Sequence, residues 1–145
     1  MKYLIIPAIL AMMATTAAAS DSASAKDLDV TIAGVENMKG AVSITLYNEA
    51  TYEGGAPLRE IKIKADAETI RGQFEDLPNG TYGLKIYHDV NENGQIDTNP
   101  FGMPVEPFAF SNNARGRFGP ATWEKAAFTV DSDTAEHMIS FKAGS

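Results

Sequence analysis

Apolar and polar residues alternate from Leu28 onward: Leu28, Val30 and Ile32 interleave with Asp29 and Thr31, and Val42, Ile44 and Leu46 interleave with Ser43, Thr45 and Tyr47. A period of two sends successive side chains to opposite faces, which is the signature of a strand with one face in a core. The runs Arg59 to Ala65, Thr69 to Glu75, Thr81 to His88, Ala126 to Val130 and Glu136 to Phe141 carry the same alternation or the β-branched and aromatic enrichment of strands. The pattern therefore predicts about seven strands.

Asn37 to Gly40 is expected to form the hairpin turn between the first two strands. Leu77-Pro78-Asn79-Gly80-Thr81-Tyr82 reads as a tight turn, because Asn79 and Gly80 tolerate positive φ and Pro78 fixes its own. Helical turns fit only at 48–53 and 120–126. Strands joined by short turns, with no long helical period, predict an all-β, antiparallel β-sandwich of immunoglobulin-like or transthyretin-like type.

One interval breaks the pattern, the long loop from His88 to about Thr122 that follows the fifth strand. A connection of that length is usually functional or disordered. Phe101, Met103, Val105, Phe108, Phe110, Phe118 and Trp123 are too many large apolar groups for disorder, so the loop is expected to pack across one end of the sandwich.

The first residues bear on compartment. Lys2, the apolar run Tyr3 to Ala14 and the small residues Ala17-Ala18-Ala19 read as a cleavable signal peptide over 1–19. The run is shorter than the roughly 20 residues a spanning helix needs, so no membrane insertion is expected after cleavage. A flexible lead-in over 20–26 and a single domain over 27–143 follow, in a periplasmic or secreted protein. The chain has no cysteine, which removes a lipoprotein's lipid acceptor and any disulfide staple. Stability then rests on a packed core. With a net charge of −7 and twelve scattered basic residues, nucleic acid is not an expected partner.

Candidate chemistry concentrates in Asp89-Val90-Asn91-Glu92-Asn93-Gly94-Gln95-Ile96-Asp97, where oxygen-bearing side chains alternate around a glycine as in the first nine positions of a calcium loop. Calcium is a hard cation that takes six to eight oxygens, and Asp89, Asn91, Asn93 and Asp97 with the Gln95 carbonyl offer five. The twelfth position is Pro100 rather than glutamate, so Asn99, Glu106, a carbonyl or water must complete the set. An affinity of roughly 10⁻⁴ to 10⁻³ M is expected. Asn, Asp and Gly also crowd into ordinary turns through Asx hydrogen bonds, and that reading needs no metal.

A second constellation, Arg115-Gly116-Arg117, lies in a polar loop bounded by aromatics. Two guanidinium forks suit a carboxylate or phosphate, as in a module for an anionic small molecule or glycan. The favoured expectation is that Arg115 and Arg117 pair with Glu106, Glu124 or Asp97 and brace the loop. His88 and His137 fall in register with core residues and are assigned structural roles. Familiar catalytic motifs are missing, and only a carboxylate pair such as Asp97 and Glu106 offers acid–base chemistry. A non-enzymatic protein is expected.

Tyr87-His88-Asp89 through Asn99, followed by Phe101-Gly102-Met103-Pro104 and Phe110-Ser111-Asn112-Asn113-Ala114-Arg115-Gly116-Arg117-Phe118-Gly119-Pro120, resembles the bacterial domain-of-unknown-function family twenty-one forty-one, in the family's order. The resemblance extends from about Leu28 to Phe141. It implies a small exported β-sandwich and brings no catalytic residues or activity. The Leu77 to Tyr82 turn is also similar to the corresponding turn of transthyretin-like and carboxypeptidase-regulatory domains. The resulting expectation is an exported sandwich whose calcium-ordered loop meets an envelope protein or glycan. A metal-free structural accessory protein is the plainer alternative.

Overall fold

The computed structural model describes residues 25–131 and 136–141. The expected signal peptide and nearly all of the lead-in lie outside the described residues. The strands are β1 (Lys26–Ala33), β2 (Ala41–Tyr47), β3 (Arg59–Lys64), β4 (Thr69–Leu77), β5 (Gly80–Asp89), β6 (Phe108–Phe110), β7 (Phe128–Val130) and β8 (Glu136–Ser140). Two single-turn helices, α1 (Glu49–Tyr52) and α2 (Trp123–Ala126), fall within the two expected helical stretches. Every expected strand is present, and β6 arises inside the long loop.

The strands form two sheets, ordered β4-β1-β8 and β3-β2-β5-β6, with β7 added beside the start of β5. Their apolar faces meet in one core: Leu28, Val30 and Ile32 of β1, Phe74 of β4 and Ile139 of β8 join Val42, Ile44 and Leu46 of β2 and Leu84 and Ile86 of β5. The period of two read from the sequence thus becomes the inner layer of a β-sandwich.

The chain's route differs from the expectation in three places. β1 and β2 belong to different sheets, so Asn37 to Gly40 is a crossing between layers and not a hairpin turn. Alternation fixes which residues face inward but says nothing about which strand lies alongside. β1 pairs with β4 antiparallel and with β8 parallel, from Asp29↔Glu136 to Ala33↔Ser140, so the small sheet is mixed. In the turn before β5, neither Asn79 nor Gly80 takes positive φ; Asp76 does, at 53°. Asp76 is held there by its N–H donating to Asp27 Oδ1 at 3.0 Å, and Arg59 reaches the carbonyls of Glu75 and Asp76 from β3. Past this bend, the Tyr82 hydroxyl donates back to the Pro78 carbonyl at 2.7 Å, the arrangement of a tyrosine corner.

The long loop does not pack across the sandwich as expected. Phe101 is 88% exposed, Met103 and Val105 63% each, and Phe118 95%. Local backbone bonding explains the difference for the first three. Val105 N–H donates to Asp97 O at 2.9 Å, Asn99 N–H to Met103 O at 2.8 Å and Gly102 N–H to Asn99 O at 2.9 Å, folding 97–105 into a hairpin arm. Only the later part turns inward, where Phe110, Ala121 and Ala126 join Tyr52 in a second small core against which Trp123 packs.

Candidate functional site

The oxygen-rich segment begins as β5 ends. Asp89 is buried in the last position of β5, opposite Ala41 of β2. Its carboxylate accepts the N–H of Asn93 at 3.1 Å and of Gly94 at 2.8 Å, turning the chain back over the strand end. Gly94 sits at φ 79°, the left-handed backbone the sequence assigned to it. The side-chain oxygens of Asn91 and Asn93 each accept the N–H two residues on, at 3.2 and 2.9 Å. These are Asx turns. The amide groups of the same two asparagines donate to the two oxygens of Asp97, at 2.5 and 2.6 Å.

Asn91, Asn93 and Asp97 are therefore brought into mutual contact, and Asp89 secures the backbone beneath them. Gln95 joins this turn through its N–H. The two residues considered for completing a metal shell are otherwise engaged. Asn99 Oδ1 accepts the N–H of Phe101 at 2.9 Å and of Met103 at 3.1 Å, building the tip of the arm. Glu106 is buried, and its two carboxylate oxygens accept Val90 N–H at 2.9 Å and Asp97 N–H at 3.0 Å. Glu106 ties the start of the loop to the root of the arm. It is the residue whose importance sequence reasoning underrated, since nothing local announces a bond spanning 16 positions.

Among the described residues no group of three or more His, Asp or Glu side chains is placed to hold a metal. A cation here would draw on two carboxylates together with amide and peptide oxygens. Each asparagine oxygen that accepts one N–H keeps a second lone pair, so the Asx turns are compatible with such a role. As the side chains stand, Asn91 and Asn93 turn amide N–H groups toward Asp97, and both Asp89 oxygens accept backbone N–H groups, so a cation would have to displace these donors.

The Arg115 and Arg117 expectation is corrected. Both side chains are exposed, and among the described residues neither lies within ion-pair distance of Glu106, Glu124, Asp97 or any other carboxylate. The loop is braced instead by the preceding residues. Ser111 Oγ accepts Leu84 N–H at 2.9 Å and donates to Ala126 O at 2.5 Å. Asn112 Nδ2 donates to Lys125 O at 3.1 Å and Ala127 O at 2.8 Å, and Asn113 Oδ1 accepts Ser140 N–H at 2.9 Å. Asn112 and Asn113 both take positive φ, 60° and 50°, a backbone asparagine tolerates better than most residues. Ser-Asn-Asn thus ties β5, α2 and β8 together.

Both histidine rings make their contacts away from the oxygen-rich turn, although His88 directly precedes Asp89. His88 shares the core face of β5 with Leu84 and Ile86; its Nε2 lies 2.6 Å from Lys39 O, its ring stacks on Phe141, and its Nδ1 is buried without a partner. His137 packs on the Phe128 ring at 4.4 Å. Glu106 accepts the Asp97 backbone N–H, while the Asp97 carboxylate is engaged by the amides of Asn91 and Asn93.

Fold and site define a small two-sheet β-sandwich with an oxygen-rich loop and an apolar arm rising from the end of β5. The chain belongs to the family of uncharacterised proteins conserved in bacteria designated DUF2141, whose model matches residues 30–138. The match runs from β1 into β8 and includes the whole long loop. No curated protein and no solved structure matches the chain.

Proposed function

We propose that this protein is an exported, non-enzymatic β-sandwich whose loop from Asp89 to Asp97 is ordered by calcium and steadies the adjoining arm for an envelope partner, a protein or glycan. The observation that carries the reading is the position of Asp97. Its carboxylate gathers Asn91 and Asn93, while its backbone carbonyl and N–H anchor the arm to Val105 and Glu106. A cation drawing Asp89, Asn91, Asn93, the Gln95 carbonyl and Asp97 together would stiffen the root of the arm that exposes Phe101, Met103 and Val105. Exposed apolar groups gathered on a protrusion mark an interaction surface more often than chance. The lead sequence of Lys2 to Ala19 supports export into a calcium-containing compartment.

Melting of chelator-stripped protein with and without millimolar calcium tests this, because a ligand that binds only the folded state raises stability by mass action. The expected result is a rise in Tm and slower proteolysis within 97–105, both reduced in Asp97→Asn. Asp97→Asn is preferred to Asp89→Ala, which also removes the acceptor for two backbone N–H groups. An unchanged Tm and cleavage pattern would reject calcium and favour the metal-free structural reading.

A further inference from the structure

The tip of the loop between β6 and α2 concentrates positive charge on an acidic protein. Arg115, Arg117 and Lys125 are all exposed, and Lys125 Nζ donates to Arg115 O at 3.3 Å, drawing the third cation to the base of the tip. None has a carboxylate within ion-pair distance among the described residues, although the chain carries a net −7. The tip is compact. A Cβ on Gly116 would lie 1.7 Å from Gly119 O and 2.5 Å from Pro120 O, so the chain doubles back against the only residue small enough to admit it. This directs two arginines and Phe118 outward from one short turn. The Arg117 guanidinium lies 5.5 Å from the centre of the Phe118 ring, and that ring is 95% exposed.

Each feature narrows the ligand. Unpaired guanidinium forks match carboxylates or phosphates. A small-molecule site buries roughly 70–90% of its ligand, whereas a tip with so exposed an aromatic encloses nothing. Duplex nucleic acid and an anionic bilayer present dense charge across a wide face that would extend past the tip, where the net charge of −7 opposes it. A thin strand with charges spaced along it touches the tip alone. The aromatic beside the cations offers a flat apolar face to a sugar ring.

We propose that Arg115, Arg117, Phe118 and Lys125 form a docking site for an acidic polysaccharide, with the cations taking successive carboxylates and Phe118 stacking on a sugar between them. This site is independent of the oxygen-rich loop, and its test is run in chelator so that calcium plays no part.

The experiment is isothermal titration of the mature protein with polygalacturonate at low ionic strength, with neutral dextran and phosphatidylglycerol vesicles as comparisons. Wild type is expected to bind polygalacturonate and neither comparison. Arg115→Gln/Arg117→Gln should weaken binding by about tenfold or more, since each lost charge-assisted contact is strong, and Phe118→Ala should weaken it several-fold. Lys62→Gln/Lys64→Gln on β3 should leave binding intact. Both tip variants should melt with wild type, because the side chains they change are exposed. Absence of binding, equal binding to dextran, tighter binding to the vesicles, or equal losses from the tip and β3 variants would each overturn the proposal.

Discussion

The backbone N–H of Asn112 donates to Nε2 of His137 across 2.8 Å, so a residue of the long loop is held by the imidazole of an edge strand in the opposite sheet. The bond requires that nitrogen to carry a lone pair, which the imidazolium lacks. Burial also holds His137 below its ordinary value of 6.5.

A pH dependence follows, with a definite sign. The unfolded chain takes up a proton near the ordinary value while the native state resists it until lower pH, so this contribution is fully present above about pH 6.5 and is lost as pH falls. Urea unfolding between pH 7.5 and about 5.5 should show stability declining with acidification, and His137→Gln should flatten that decline. An unchanged slope in the variant would remove His137 as its source.

Ser111 is fully buried and serves as both acceptor and donor between β5 and α2. Ser111→Ala leaves Leu84 N–H and Ala126 O without this partner. The expected loss is about 2–6 kcal/mol in equilibrium unfolding, because each of the two unsatisfied buried polar groups costs about 1–3 kcal/mol. A loss under half a kilocalorie would mean that the two groups find other partners.

Glu106→Gln keeps one acceptor oxygen and replaces the other with a donor facing a backbone N–H. Stability should fall by about 1–3 kcal/mol. Cleavage by a nonspecific protease should increase between Val90 and Val105 before it increases elsewhere. Uniform cleavage along the chain would argue against a local tether.

Phe101→Ser and Phe118→Ser distinguish the observed exposure from the packing expected from composition. Truncating a buried phenylalanine costs about 3–5 kcal/mol, whereas substitutions at exposed positions usually stay within about 0.5 kcal/mol. Both variants should unfold with wild type in a denaturant series. A large loss in either would show its ring to be packed in solution.

Legibility in the sequence followed the range of the interaction. Val30, Ile32, Val42, Ile44, Leu84 and Ile86 announce their burial through alternation, a property of neighbouring residues. The pairing of β1 with β8 has no such local mark. β6 escaped because Phe108-Ala109-Phe110 is too short for a period to register. At the oxygen-rich turn the positive φ of Gly94 was legible from the spacing, whereas Asp89, read there as a metal ligand, accepts the N–H groups of Asn93 and Gly94. The expected pairing of Arg115 and Arg117 with acidic groups failed for an energetic reason. Exposed ion pairs are worth about 0–1 kcal/mol, too little to determine where long side chains of a surface loop settle. Nothing local marks Asn112 and Asn113 as ties, because their partners, Ala127 and Ser140, lie 15 and 27 positions away.

The parallel pairing of β1 with β8 also sets the order in which the molecule can assemble. Val30 and Ile32 lie in the middle strand of their sheet, yet one neighbour of that strand begins only at Glu136. The small sheet stays unfinished until synthesis has passed that point, whatever the larger sheet has already formed. Closing so large a chain loop before its contacts form slows folding. A newly made chain therefore remains open until its last strand arrives, and a ribosome stalled before Glu136 would hold β1 with an unpaired edge, open to pairing with other chains.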